Sequence, residues 1–287
     1  MKQSNVLREM LRQPEIIVAA GCYECVSARL VERAGFRVAY LTGYGTSATL
    51  LGKPDYGYIN MVEMTTHGKN VAQSITIPLI SDADTGYGNV LNTIRTVQEF
   101  ERNGVAAIHI EDQTFPKRCG HMEGKQVIST QEHIMKIKAA AEARTSMLII
   151  ARTDARAPLG LDEAIERGLA YKEAGADIIF VDAPQSVEEV QKIGEKVQAP
   201  LLINMTEGGK TPLLSNQELQ QLGYKIVIYP ITAMLAGVKA MEMALQELRE
   251  MGTTQGIRQH MRSFAEMNEI LGVPDAQTLE ARYRHSQ

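Results

Sequence analysis

Residues 106–121 read Ala-Ala-Ile-His-Ile-Glu-Asp-Gln-Thr-Phe-Pro-Lys-Arg-Cys-Gly-His. The opening run, 106–110, is short and strand-like. Its near-continuous apolar character marks a strand buried on both faces, as in a parallel sheet. It delivers His109, Glu111 and Asp112 to its end. A polar, Gly-containing segment follows at once and sets Cys119 among Lys117, Arg118 and His121. A thiol among three potential cations should lose its proton easily, and the neighbouring carboxylates can hold a hard cation such as Mg2+.

Outward from this stretch the same pattern repeats. Residues 16–20, 38–41, 78–80, 106–110, 147–151, 177–181, 200–203 and 225–229 read as strands. Helix-period segments lie between them at 27–34, 90–103, 130–143, 161–174, 187–197 and 215–222, with Gly35 and Gly175 placed as left-handed stops. Eight strand–helix units predict an α/β fold, a (β/α)8 TIM-type barrel. A doubly wound open sheet is the alternative, but it rarely has so many evenly spaced units. The polar residues fall where strands end: Thr42, Asp82, Asp84, His109, Glu111, Arg152, Asp182, Asn204 and Thr206. Barrel active sites are built on that face, so these distant residues should meet in one cup.

Leu7, Met10 and Leu11 predict a short amphipathic helix before the first strand. Beyond the eighth strand, 234–251 and 257–271 read as helices, one more than the barrel requires. We read residues 1–287 as one barrel domain with 231–287 as a C-terminal helical extension. The surplus apolar face is expected to bury against a neighbouring subunit.

The composition sets further bounds. Hydrophobic residues make up 44% of the 287, enough for a large core. A net charge of −4 argues against a nucleic-acid or membrane-surface binder. No apolar run reaches the ~18 residues of a membrane span. The polar start does not read as a secretory signal, and three cysteines give no disulfide framework. The expectation is a cytoplasmic protein.

Asp82-Ala83-Asp84 places two carboxylates on one side of an extended chain. Joined by Glu111 and Asp55, they favour a Mg2+ or Mn2+ site over a solvated turn. Arg152 offers a planar fork of donors for a substrate carboxylate, or a salt bridge to Asp154 or Glu111. Asn204 and Thr206 could serve a second carboxylate. Cys22-Tyr23-Glu24-Cys25 has redox spacing but no thioredoxin-like surroundings and no second pair for zinc. The tail Gly208-Gly209-Lys210-Thr211 lacks the upstream glycine of a phosphate loop, because Asn204 stands there. His67, His133, His260 and His285 read as solvated or core histidines.

At these residues the chain resembles the isocitrate lyase/phosphoenolpyruvate mutase superfamily, over about 14–252. The markers are Tyr40-Leu41-Thr42-Gly43, Pro54-Asp55, residues 82–88 (Asp-Ala-Asp-Thr-Gly-Tyr-Gly), His109-Ile110-Glu111-Asp112-Gln113, Lys117-Arg118-Cys119-Gly120-His121, Ala151-Arg152-Thr153-Asp154 and Asn204-Met205-Thr206-Glu207. The resemblance implies an α/β barrel whose last helix is swapped between subunits, usually in a homotetramer. It implies Asp84 as direct Mg2+ ligand, with Asp55, Asp82 and Glu111 nearby, often through water. It places Tyr40, Thr42, Gly43 and Tyr44 around a 2-oxo or 2-hydroxy acid, and a carboxylate on Arg152. Gly120, Asp182, Asn204 and Thr206 complete the substrate set, and Lys117, Cys119 and His121 belong to a catalytic gating loop. Retention of Cys-Gly-His points to C–C cleavage, with Cys119 protonating the departing enolate. The expected chemistry is Mg2+-dependent retro-aldol cleavage of an alkylmalate, such as 2,3-dimethylmalate, or of 2-methylisocitrate. Oxaloacetate hydrolysis, carboxyphosphonoenolpyruvate phosphonomutation and a non-catalytic barrel are the competing expectations.

Overall fold

The computed structural model describes residues 2–120, 122 and 124–284. Eight strands, β1 (Ile17–Cys22), β2 (Val38–Leu41), β3 (Leu79–Asp82), β4 (Ala107–Glu111), β5 (Leu148–Thr153), β6 (Ile178–Val181), β7 (Leu201–Asn204) and β8 (Tyr224–Tyr229), form a closed barrel in chain order. Every adjacent pair is parallel, and β1 pairs with β8 to close the ring. The barrel expected from the alternating pattern is the one the chain adopts.

Side-chain alternation explains both the apolar reading of the strands and the polar cup above them. Ile108 and Ile110 on β4, Ile149 and Ala151 on β5, and Ile179 and Val181 on β6 lie in the layer against the surrounding helices. Val38, Ile80, Ala107, Leu148, Ile150, Ile178, Phe180 and Leu202 pack together in a second cluster inside the ring. Leu7 and Met10 of the helix Gln3–Arg12 join that inner cluster, and Leu11 packs against it. The amphipathic N-terminal segment thus closes the lower end of the barrel. Continuing each inward series to the strand end, through Tyr40 on β2 and His109 on β4, gives Thr42, Asp82, Glu111, Arg152, Asp182 and Asn204.

The ladder extends past the apolar runs at β1, β3, β4, β5 and β7, to Cys22, Asp82, Glu111, Thr153 and Asn204. Backbone pairing does not depend on an apolar side chain, so a hydropathy reading stops short of where the strand does. Within the barrel, two long helices escaped the reading, Gly43–Leu51 and Met61–Ser74, as did the single turn Arg156–Leu159. The first opens on Gly-Tyr-Gly-Thr-Ser, a poor helix sequence started by the Thr42 cap, whose side chain accepts from Gly45 N. The second carries a legible signal, a capping box between Asn60 and Glu63.

The chain divides into two compact units, Met1–Thr232 and Ala233–Gln287. In the second, the segment expected as one helix over 257–271 is a 3-10 turn, Gln255–His260, and a separate helix, Phe264–Ile270. Ser263 and Glu266 form a capping box that starts a new helix there. A last helix, Val273–Arg284, was not expected. Leu235, Val238, Met241, Leu245 and Leu248 of the helix Thr232–Met251 are exposed. Among the described residues no helix is long and apolar enough to cross a membrane.

Candidate active site

The strand ends and residues 117–120 and 122 line a cavity of about 830 Å³, part of it open to solvent. Tyr40, Thr42, Tyr44, Asp55, Asp82, Lys117, Cys119, Gly120, Arg152, Asn204 and Thr206 line it. Asp84, Glu111 and Asp182 stand behind this lining, ion-paired to Lys117 or Arg152. Gly43 packs so tightly on Asp82 that a Cβ there would meet the carboxylate. His121 lies outside the described residues, as does His285.

One half of the cup is rich in acid. Asp84 adopts φ +46°, a left-handed conformation that costs a non-glycine residue free energy. It is held there by its own N–H on Asp82 Oδ1 (2.9 Å) and by Glu111 N on its carbonyl (2.9 Å). Lys117 Nζ lies 2.6 Å from Asp55 Oδ1 and 2.8 Å from Asp84 Oδ1. Even so, burial pushes the Asp84 carboxyl up to about 7, opposed by Lys117 and reinforced by Asp82 and Asp55. Burial also raises Glu111 well above the carboxylate range, against the pull of Arg152. Among the described residues both Glu111 oxygens lack a hydrogen-bond partner, although Arg152 Nη1 is 3.3 Å from Oε2.

Against this acid-rich wall sits His109, fully buried on β4. Its Nε2 is 2.7 Å from the Tyr40 hydroxyl, while its Nδ1 is 3.6 Å from Asp82 Oδ1, too far for a hydrogen bond. Desolvation drives its pKa down to about 4, so it is neutral at physiological pH. Burial holds the Tyr40 phenol well above 10, so it stays protonated.

The other half is charge-matched. Arg152 donates from Nε to Asp154 Oδ2 (2.9 Å) and from Nη2 to Asp154 Oδ1 (3.0 Å) and Asp182 Oδ2 (3.2 Å). Lys125 Nζ donates to Asp154 Oδ1 (2.8 Å) and lies 3.5 Å from Asp182. Burial works against the Asp154 charge, yet Arg152 and Lys125 hold it well below the carboxylate range. The salt-bridge reading of Arg152 therefore holds with Asp154 and Glu111 together, and its guanidinium still lines the cavity. Gly120 lies where a Cβ would strike Asp182 and Arg152, so the loop can close over this half only with glycine there.

Cys119 is half-buried on the cavity wall. Of the cations expected around it, Lys117 is committed to Asp55 and Asp84. The loop is pinned by Gln113, whose side chain accepts from Arg118 N (3.0 Å) and donates to Arg118 O (2.8 Å). Gln113 was quoted only as the end of a motif and Lys125 was given no role from sequence, since a clamp within a loop has no periodic signal. Met122, Glu207, Gly208, Gly209, Pro230 and Ile231 also line the cavity; their positions just past strands or in the loop were the available cue. Thr42 caps the helix Gly43–Leu51, so the first N–H groups of that helix start at the cup, an arrangement that suits a carboxylate. Thr206 Oγ1 donates to Asn204 Oδ1 (2.7 Å). Cys22 is buried beneath, its Sγ on the Tyr40 carbonyl, as a packed thiol rather than half of a redox pair.

The donor set can be tested for a divalent cation. Asp55, Asp82, Asp84 and Glu111 are all buried hard oxygen donors, the chemistry Mg2+ takes. Burial raises the Asp84 and Glu111 carboxyls, while His109, Lys117 and Arg152 hold Asp82 low, and the Lys117 ammonium sits between Asp55 and Asp84. Among the described residues, no three such side chains are arranged to hold an ion directly. The hard-oxygen chemistry of these buried carboxylates fits Mg2+ or Mn2+.

Residues 7–249 match the family model described as phosphoenolpyruvate phosphomutase. The chain belongs to that family. Its place in the phosphoenolpyruvate mutase/isocitrate lyase superfamily agrees with the relatives of known activity. The chain is 45% identical to 2,3-dimethylmalate lyase of Eubacterium barkeri, over 99% of both proteins. It is 48% identical to 2-methylisocitrate lyase of Aeropyrum pernix, over 73% of this chain and 68% of that protein. The solved structure of oxaloacetate acetylhydrolase with 3,3-difluorooxalacetate superposes with a TM-score of 0.93 at 34% identity, covering 98% of this chain and 97% of that one. This phosphoenolpyruvate phosphomutase family member is thus an enzyme of the superfamily.

Proposed function

We propose that the enzyme is a Mg2+-dependent carbon–carbon lyase that cleaves a 2-alkylmalate, such as 2,3-dimethylmalate, to pyruvate and propionate. The observation that carries this reading is the convergence of Cys119, the acid-rich wall and Arg152 on one cavity. The full-length similarity to a 2,3-dimethylmalate lyase supports the substrate class. Met122, Pro230 and Ile231 give that cavity apolar surface for alkyl groups.

Asp84 would hold the ion, with Asp55, Asp82 and Glu111 around it. When bound, Mg2+ would supply Lewis-acid stabilisation of the negative charge on the substrate's 2-oxygen. Arg152 and the N–H groups at the start of Gly43–Leu51 orient the substrate carboxylates. The 2-hydroxyl proton passes to the Tyr40 oxygen as the phenol proton moves to neutral His109. The C2–C3 bond breaks, C2 becomes the carbonyl carbon of pyruvate, and its electron pair goes to C3 as an enediolate. Cys119 Sγ–H delivers a proton to C3, giving propionate and a thiolate; His109 then gives up the proton it took, and one proton from solvent restores the thiol, so the cycle closes. Closure of the loop keeps water from the enediolate.

The exposed apolar residues of Thr232–Met251 support assembly with further copies of the chain, as a homotetramer with swapped C-terminal helices. Product analysis on 2,3-dimethylmalate, other alkylmalates, 2-methylisocitrate, isocitrate and oxaloacetate tests the reaction. The expected result is pyruvate and propionate in equal amounts from 2,3-dimethylmalate, dependent on Mg2+. Oxalate and acetate from oxaloacetate, with no alkylmalate cleavage, would replace the lyase by a hydrolase.

A further inference from the structure

Away from the cavity wall, a second buried charge cluster is built around Asp112, immediately after β4. Its Oδ1 accepts from Asp154 N (2.8 Å). Its Oδ2 accepts from Thr153 Oγ1 (2.8 Å), Tyr171 OH (2.9 Å) and Arg167 Nη1 (3.0 Å). Arg167 and Tyr171 belong to the helix Leu161–Glu173, and Glu163 of that helix holds Arg167 Nε at 2.9 Å. Asp112 is fully buried and Arg167 nearly so.

The cluster has a specific relation to the loop that carries Cys119. Arg167 Nη1 also donates to the Ile128 carbonyl (2.9 Å), and Ile128 N donates to the Asp112 carbonyl (2.9 Å). Asp112 and Ile128 are the two feet of the segment bearing Lys117, Cys119 and Lys125. One guanidinium therefore binds the first foot by its carboxylate and the second by its backbone. The same carboxylate fixes the backbone of Asp154, whose own carboxylate receives both Arg152 and Lys125.

We propose that Asp112 and Arg167 are positioning residues, a brace that locks both feet of the Cys119 loop to the shelf presenting Arg152. The part of the inference that concerns turnover rests on the lyase reading; the structural part does not. The brace makes the loop's closed arrangement and the orientation of Arg152 one event. Breaking a buried carboxylate–guanidinium pair leaves an uncompensated charge, so its loss should open the loop locally rather than merely weaken a surface contact.

The test is amide hydrogen exchange on the full-length protein, wild type against Arg167→Met, Arg167→Lys and Tyr171→Phe, with steady-state kinetics on 2,3-dimethylmalate. In Arg167→Met, amides of 113–127 should exchange at least tenfold faster while those of β1–β8 keep their protection. Turnover should fall at least tenfold, and Arg167→Lys should recover most of both. Tyr171→Phe removes one of three donors to Oδ2 and should raise loop exchange by a few fold. Unchanged loop exchange, or faster exchange spread equally over the barrel, overturns the brace. If Arg167→Met does not fold, Tyr171→Phe decides by the same criteria. Exchange needs no substrate, so failure to cleave any acid would remove the lyase reading and leave the brace to be judged separately.

Discussion

The acid-rich half of the cup and the charge-matched half sit on neighbouring strand ends and use the same residue types. In the matched half, Asp154 and Asp182 face Arg152 and Lys125, and the Asp154 carboxyl is held far into its charged form. In the other, Asp55 and Asp84 share Lys117, Glu111 has no hydrogen-bond partner among the described residues, and burial lifts Asp84 to about 7. Equal burial gives opposite outcomes because the number of cations within reach differs. The matched half sets two cations against Asp154 and Asp182, while in the other half Asp55 and Asp84 share the single Lys117 ammonium.

The contrast can be broken first at Asp84. Asp84→Asn should lower turnover by a thousandfold or more, roughly the several kcal/mol an ion contributes. The same variant should leave the metal-free melting temperature unchanged or higher, since it removes a surplus charge. Cys119→Ser should lower turnover by about a hundredfold or more, the scale of a lost general acid. Calorimetric Mg2+ affinity should stay at the wild-type value. Comparable turnover in this variant would take Cys119 out of the mechanism.

A stability measurement sharpens the other side. Lys125→Met strips a cation from Asp154 and Asp182, and denaturant unfolding should show a loss of about 3–5 kcal/mol. A neutral result would mean that the matched half is not an interdependent network. The smallest effect is a pH dependence. Burial lowers His109 to about 4 and His133 to about 3. Below their unfolded value of about 6.5 the unfolded chain binds more protons than the folded one, so stability is lost as pH falls from there through the folded values. Each histidine contributes a slope of about 1.4 kcal/mol per pH unit in that window. His133→Leu should flatten the wild-type decline between pH 6 and 4; an unaltered slope would show that His133 carries none of it.

The barrel was legible because its strands are apolar on both faces and its polar residues come at their ends. Glu111 and Arg152 were visible as the charged ends of apolar runs, and they pair directly in the register of β4 with β5. Asp182 was equally exposed to reading. The Asp112–Arg167 brace was not, because its members lie in different elements and only the folded chain brings them together. Nor was the engagement of Lys117 by Asp55 and Asp84, since Asp55 sits on an irregular segment with no periodicity to place it. Helix Gly43–Leu51 was hidden by its glycines and hydroxyl residues, whose helical state comes from the Thr42 cap and its place beside the barrel.

The claim that the acid-rich half seats a divalent ion is tested most directly by titrating Mg2+ into the protein near pH 7 in buffers of different ionisation enthalpy. The account predicts one ion per chain, bound with release of a proton because Asp84 starts partly protonated, and no binding in Asp84→Asn. Equal binding in that variant, or none in the wild type, would contradict it.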